Sequence, residues 1–318
     1  MSGYGRRPET LKLTLQLTGA AVALAALALA ATPPASAAPI QAERLTFNLM
    51  VGGLHVGDAL VALNQTAAGY TTEMRMTARG VAKWVRNFRT DMKGEGHFAT
   101  SPAANGLPEF APRPGTYVRL WSTGEVASDM TMTFDPQTGM AATSERLFNP
   151  NTGATLQPED MPWNNNRRDR DSARQVPPDM RTNVLDPMAA FVAARGQIMA
   201  QGATSRGLKA FRVPVYDGRR RYDVIGKTGA VRAVTINGAE RQLVPLTATI
   251  QPIFGFGQRS QERMKASEGK FLFTADDRFI PVQLTVSNEM ISGVMNLTAD
   301  CAQNAAPCDT FGQEPAPK

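Results

Sequence analysis

Apolar and polar residues alternate with a period of two through most of the chain, and no other feature narrows the fold as far. Leu45, Phe47 and Leu49 alternate with Thr46 and Asn48; Tyr70, Thr72, Met74 and Met76 alternate with Thr71, Glu73, Arg75 and Thr77; Met130, Met132 and Phe134 alternate with Thr131 and Thr133. This spacing puts one set of side chains on each face of an extended segment, so each reads as a strand with one buried face. Further strands are read over 211–216, 219–227, 231–236, 240–250, 270–275, 279–287 and 290–299. Asp217-Gly218 and Asn237-Gly238 sit between neighbouring strands and read as two-residue hairpin turns.

Only two segments read as helix. One is short, Val81 to Asn87. The other opens at Asp186, with Pro187 in the first helical position and Met188, Phe191, Val192, Ile198 and Met199 as an apolar stripe, and Gly202 can end it. One sizeable helix among about a dozen strands is not βαβ alternation. The fold class is all-β: a large, mostly antiparallel, strongly curved or spiral sheet, half-open and barrel-like, with one packed amphipathic helix. A flat sheet of this size would expose long edges, which curling avoids; a two-sheet β-sandwich is the alternative.

Residues 1–37 read as a cleaved signal peptide. Arg6, Arg7 and Lys12 precede an uncharged Ala/Leu-rich run from Leu13 to Ala31, and Ala35-Ser36-Ala37 supplies small residues before a cut at Ala38. The expected location is the bacterial periplasm, with no transmembrane segment in the mature chain. Residues 38–300 read as a single β-rich domain. Within it, 149–182 holds few large apolar groups (Leu156, Met161, Trp163, Val176) and reads as a mobile loop. The tail, 301–318, carries both cysteines of the chain. Cys301 and Cys308 are expected to pair in an oxidising compartment, closing a loop worth roughly 2.5 kcal/mol in the chain-entropy description.

The net charge of +6 is partly that of residues 1–37, and the mild remainder gives no footprint for nucleic acid. Two histidines and two cysteines leave no basis for a metal site or a metal cofactor. His55 stands in a glycine-flanked turn, and His97 on the charged face of a strand with Asp91, Lys93 and Glu95, where alternating charge reads as a cross-strand ion-pair ladder. No G-x-S-x-G elbow is present, and no catalytic set is assigned. Phe254-Gly255-Phe256-Gly257 reads as a loop tucked over the core or an apolar rim to a cavity. Arg219, Arg220 and Arg221 with Tyr222 form a dense basic hairpin, read either as an anion site for a lipid phosphate, a carboxylate or an acidic partner, or as a solvated rim paired with Asp217 and Asp223.

The order of several motifs is also informative. Leu45-Thr46-Phe47 and Gly52-Gly53-Leu54-His55-Val56-Gly57-Asp58 come first, then Lys83-Trp84-Val85-Arg86-Asn87. Asp186-Pro187 opens the helix, Val213-Pro214-Val215-Tyr216-Asp217-Gly218-Arg219-Arg220-Arg221-Tyr222-Asp223 follows, and Asp277-Arg278-Phe279-Ile280-Pro281-Val282 comes late. Over roughly residues 43–299 the chain resembles the bacterial exported family of domain of unknown function 3108. The resemblance implies an exported β-rich envelope protein and carries over no catalytic residue. The functional expectation is a non-catalytic periplasmic protein that supports the cell envelope by binding a lipid, another amphiphile or an envelope partner on a concave β surface. The inner-face methionines Met74, Met76, Met92, Met130 and Met132 suit such a surface, and equally suit a core. A hydrolase acting on envelope material is the alternative.

Overall fold

The alternating segments fold as strands of a single sheet. The computed structural model describes residues 42–66, 68–85, 87–99, 112–157, 176–201, 210–236, 238–287, 292–302 and 304–311. The signal-peptide reading, the centre of the 149–182 segment with Met161 and Trp163, and the last residues of the tail fall outside these.

Seven strands precede the main helix: β1 (Glu43–Val51), β2 (Leu54–Gln65), β3 (Gly69–Ala78), β4 (Arg89–Phe98), β5 (Pro112–Ser122), β6 (Ala127–Phe134) and β7 (Ala141–Phe148). Seven follow it: β8 (Phe211–Tyr216), β9 (Arg221–Thr228), β10 (Arg232–Ile236), β11 (Ala239–Phe254), β12 (Glu268–Thr274), β13 (Pro281–Ser287) and β14 (Ser292–Asp300). The order across the sheet is β7-β6-β5-β4-β3-β2-β1-β14-β13-β12-β11-β9-β8, with β10 added to β11. It is a long antiparallel meander whose first and last strands meet in the middle, with Phe47 opposite Leu297 and Leu49 opposite Met295.

The two outer strands, β7 and β8, do not pair with each other. Residues 182–185 run between them instead. Thr182 bridges to Met140 on one side, and Leu185 bridges to Val215 on the other. The Leu185 N–H donates to Pro214 O at 2.9 Å, and the Tyr216 N–H donates to Leu185 O at 2.9 Å. Tyr216 Oη and Thr143 Oγ1 lie 3.0 Å apart, tying β8 to β7 through side chains. The strap satisfies backbone groups that a free edge would expose. The result is a nearly closed, barrel-like sheet.

The main helix, α2 (Pro187–Gln201), lies inside this curve. Asp186 caps it, Oδ1 accepting from the N–H groups of Met188 and Ala189 at 2.9 Å each. The helix is not amphipathic as the stripe implied: Met188, Ala189, Ala190, Val192, Ala193 and Ile198 are all buried, and they cover more than one face. Alanines do not register as an apolar stripe, yet they let strands approach a helix from several sides. Ala189 and Val192 pack with Leu63, Tyr70 and Phe98; Ala190 and Ala193 with Val213 and Val215; Ile198 with Val244, Leu246, Phe273 and Phe279. Gly94 on β4 makes room for the helix start: a Cβ there would stand 2.8 Å from Thr72 Oγ1 and 3.1 Å from Met188 Cβ.

Among the described residues three further α-helical segments appear: α1 (Gly80–Val85), α3 (Gln258–Ala266) and α4 (Ala306–Asp309). The first is the short helix expected near residue 81. The charged α3 carries no apolar stripe to announce it. The reading of 149–182 as a mobile loop does not hold for its two ends. Thr155 bridges to Phe148, residues 178–181 form a 3-10 turn, and Val176 is 2% exposed in the interior cluster with Tyr117 and Met130. The tail also packs as far as it is described. Cys301 and Cys308 form the expected disulfide, Cys308 is buried, and Asp309 accepts from Arg44 of β1 at 2.9 Å.

Candidate functional site

The helix fills only part of the barrel. It begins at mid-height beside Gly94 and runs toward the end where β1 starts and β12 finishes. At that closed end the inward-facing Leu45, Phe47, Leu63, Tyr70 and Phe98 are all below 8% exposure. Nearer the other end, inward-facing Leu49, Met74, Met76 and Met295 pack against the same interior but stay only half-buried, as does Met92. These inward-facing side chains are less fully covered than those at the closed end, and they are the most accessible apolar part of the inner face. Of the five methionines read as an inner face, Met130 and Met132 are fully buried under Tyr216 and Val176, and the other three line the open part.

One wall of this open part is polar. Arg119 on β5 is cross-strand to Met92 and Met130 and so faces inward. Its Nη2 lies 3.5 Å from Glu145 Oε1 of β7, and its Nε is buried with no partner among the described residues. Glu145 also accepts from Ser128 Oγ and, at 2.7 Å, from Arg219 Nε. Burial would raise its carboxyl, but the bonds from Arg219 and Ser128 outweigh it and hold the carboxyl below its ordinary range. Below this wall, Asp186 Oδ2 and the hydroxyls of Tyr70 and Tyr117 are buried without hydrogen-bond partners among the described residues. Burial pushes the Asp186 carboxyl up to about 6 and both phenols above their usual range.

The basic hairpin does not form one converging site. The turn between β8 and β9 spans Asp217 to Arg220, four residues rather than two. Asp217 Oδ1 accepts from the backbone N–H groups of Arg219 and Arg220, at 3.0 and 2.7 Å, and so fixes the wider turn. Arg219 and Arg220 therefore leave the strand, and the expected alternation of faces is lost. Arg219 reaches Glu145. Arg220 lies over the Phe256 ring at 5.2 Å, which Tyr222 meets edge-on. Arg221 pairs with Asp223, which also meets Arg212 at 3.1 Å. Of the four residues, only Arg219 joins the polar wall. Gly218 is the close-approach residue of this turn: its φ is +96°, and a Cβ there would overlap the Met130 sulfur.

Two histidines that could serve as bases stand apart. His55 is exposed in the β1–β2 region, its Nε2 2.8 Å from Asp58 Oδ1, whereas His97 is exposed near the end of β4, at the opposite end of the barrel. Asp91 pairs along its own strand with Arg89 at 2.7 Å and faces Arg75 across strands at 3.8 Å, so of the expected cross-strand ladder only this one rung is seen among the described residues. A depression of about 510 Å³ across β1–β5 is lined by Arg44, Glu73, Lys93 and Glu95 together with the apolar Ala62, Leu63 and Val118.

The closed end holds a network that the sequence does not announce. Arg195 of α2 is 2% exposed and donates to Glu43 Oε1 of β1 at 2.7 Å and to Arg278 O. Arg278 in turn donates to Asp300 Oδ2 at 2.6 Å. Burial pushes the Glu43 carboxyl up, against the pull of Arg195 and Arg278. Beside this network a cavity of about 490 Å³ is lined by Arg241, Asp276, Arg278, Asp300 and Asn304 together with Ile280 and Leu297. Arg195 interrupts no visible pattern other than an Ala-rich helix; a lone arginine there was the available signal.

The family described as protein of unknown function (DUF3108) matches residues 45–298. The chain belongs to that family. This DUF3108 protein matches no curated protein. Among solved structures it is similar to a beta-barrel-like protein of domain of unknown function DUF1849 from Brucella abortus, at 14% identity and a TM-score of 0.45, covering 81% of this chain and 96% of that one.

Proposed function

We propose that this DUF3108 protein is an exported, non-catalytic envelope protein that holds an amphiphile in the open part of its barrel. The observation that carries the reading is the half-burial of Leu49, Met74, Met76, Met92 and Met295 on the inward face. Flexible, polarisable methionines accommodate acyl chains of varied shape. Arg119, with a buried Nε that lacks a partner among the described residues, and the neighbouring Glu145 and Arg219 offer a polar head group charge-assisted bonds. The Ala/Leu-rich run followed by Ala35-Ser36-Ala37 and the disulfide fit an exported address. A hydrolase would need an acid, a base and a nucleophile at one place, and the two histidines lie at opposite ends.

Titration of protein from the exported fraction with dansyl-undecanoic acid tests the reading. Emission rises on binding, and Met76→Trp with Met295→Trp fills the space and weakens binding at least tenfold while the unfolding midpoint is kept. Failure of the wild-type protein to bind this probe or a lysophospholipid would refute it.

A further inference from the structure

The exposed apolar side chains are not scattered. The five large exposed ones among the described residues are Val51, Leu54, Leu120, Ile253 and Val286. Val51 and Leu54 flank the β1–β2 turn, Leu120 stands near the end of β5, Ile253 near the end of β11, and Val286 near the end of β13. Antiparallel order puts all of these positions at the open end of the barrel. Three of them are contiguous: Val51 and Val286 each pair with Gly293, one from either side, and Leu54 pairs with Val51.

Charge divides along the same axis. The described connections at the open end carry Arg79, Lys83, Arg219, Arg220, Arg263 and Lys265 against Glu125, Asp217 and Glu262; Arg79 and Arg219 are paired with the strand carboxylates Asp58 and Glu145, so the excess rests mainly on the connection of α3 and on Arg220. Those at the closed end carry Asp135, Asp179, Asp276, Asp277 and Asp309 against Arg181 and Arg278. A rim that is apolar and carries more basic than acidic connections, beside half-buried inward methionines and opposite an acidic end, has the chemistry of a surface that meets anionic lipid.

We infer that the open end docks on an anionic lipid bilayer, with Val51, Leu54 and Val286 entering the head-group layer and Arg263 and Lys265 of α3 facing lipid phosphates. The inference deepens the proposed function by naming where an amphiphile would enter. Docking is nevertheless a separate event from filling the concave surface, and the two are measured separately.

Co-flotation of the exported protein with phosphatidylglycerol vesicles tests the inference, with phosphatidylcholine vesicles as the comparison. The protein floats with the anionic vesicles, floats far less with the zwitterionic ones, and is partly released by high salt. Val51→Ser with Leu54→Ser and Val286→Ser cuts flotation at least tenfold while dansyl-undecanoic acid binding is unchanged. Arg263→Gln with Lys265→Gln, two exposed groups in the last turn of α3, cuts flotation severalfold while the unfolding midpoint is kept. No flotation of the wild-type protein, or flotation of both variant sets equal to that of wild type, overturns the docking surface. Flotation without uptake of the soluble probe overturns the concave binding site and leaves the docking surface standing.

Discussion

Asp186 sits buried at the junction of helix and strands, and its replacement by asparagine makes a prediction that depends on pH. The carboxyl is fully buried, and burial moves it from 3.8 to about 6. Below pH 3.8 it is protonated in the folded and the unfolded chain alike. As pH rises past 3.8 the unfolded chain releases its proton, while the folded chain keeps its own until about 6. Stability therefore falls across that interval and stays reduced above it. A shift of this size corresponds to roughly 3 kcal/mol. Asparagine keeps an oxygen to accept from Met188 and Ala189, so the cap survives and the charge is gone. Asp186→Asn should thus be more stable than wild type at pH 8 by up to roughly 3 kcal/mol, or roughly 6 to 12 °C in Tm, and no different at pH 4. Carboxyls held low, such as Glu145, lose stability as pH falls, but they do so in both proteins and cancel in the difference. The assay is chemical denaturation of the two proteins at several pH values. A gap that is constant with pH, or a variant less stable at pH 8, would refute the reasoning.

Two other outcomes follow from the closed end. Arg195→Met leaves Glu43 buried without its 2.7 Å partner and should cost about 3 to 5 kcal/mol; adding Glu43→Leu should recover much of that loss, and additive losses in urea denaturation would count against a coupled pair. Cys301→Ser with Cys308→Ser should lower the unfolding free energy by roughly 2.5 kcal/mol, matched by wild type under reducing conditions; an unchanged midpoint would show that the bond pins nothing.

Much of the architecture is written locally. Period-two alternation decides strand or no strand within a few residues, because the side-chain period of a strand is a property of its own backbone. The same is true of the helix start, since Asp186 and Pro187 act on the N–H groups directly behind them, and of the disulfide, whose cysteines lie seven positions apart. What alternation cannot convey is which strands become neighbours. The meeting of β1 with β14, and the strap at 182–185 that closes the outer strands, are choices among pairings that many strands could make.

The candidate site shows the same division. The basic hairpin was visible as residues, but a carboxylate accepting two backbone N–H groups widened its turn and sent each arginine to a different partner. Arg119, Glu145 and Arg195 carry no local mark, because what distinguishes them is burial beside a group far away in the chain. The methionines could be read from sequence as an inner face, but whether that face is packed or open depends on how far α2 reaches into the barrel. That reach is a matter of tertiary packing: Gly94 admits the helix start, alanines let β3, β4 and β8 close around it, and Glu43 holds Arg195 at the far end, so the inward side chains are fully buried along the helix and only half-buried beyond it.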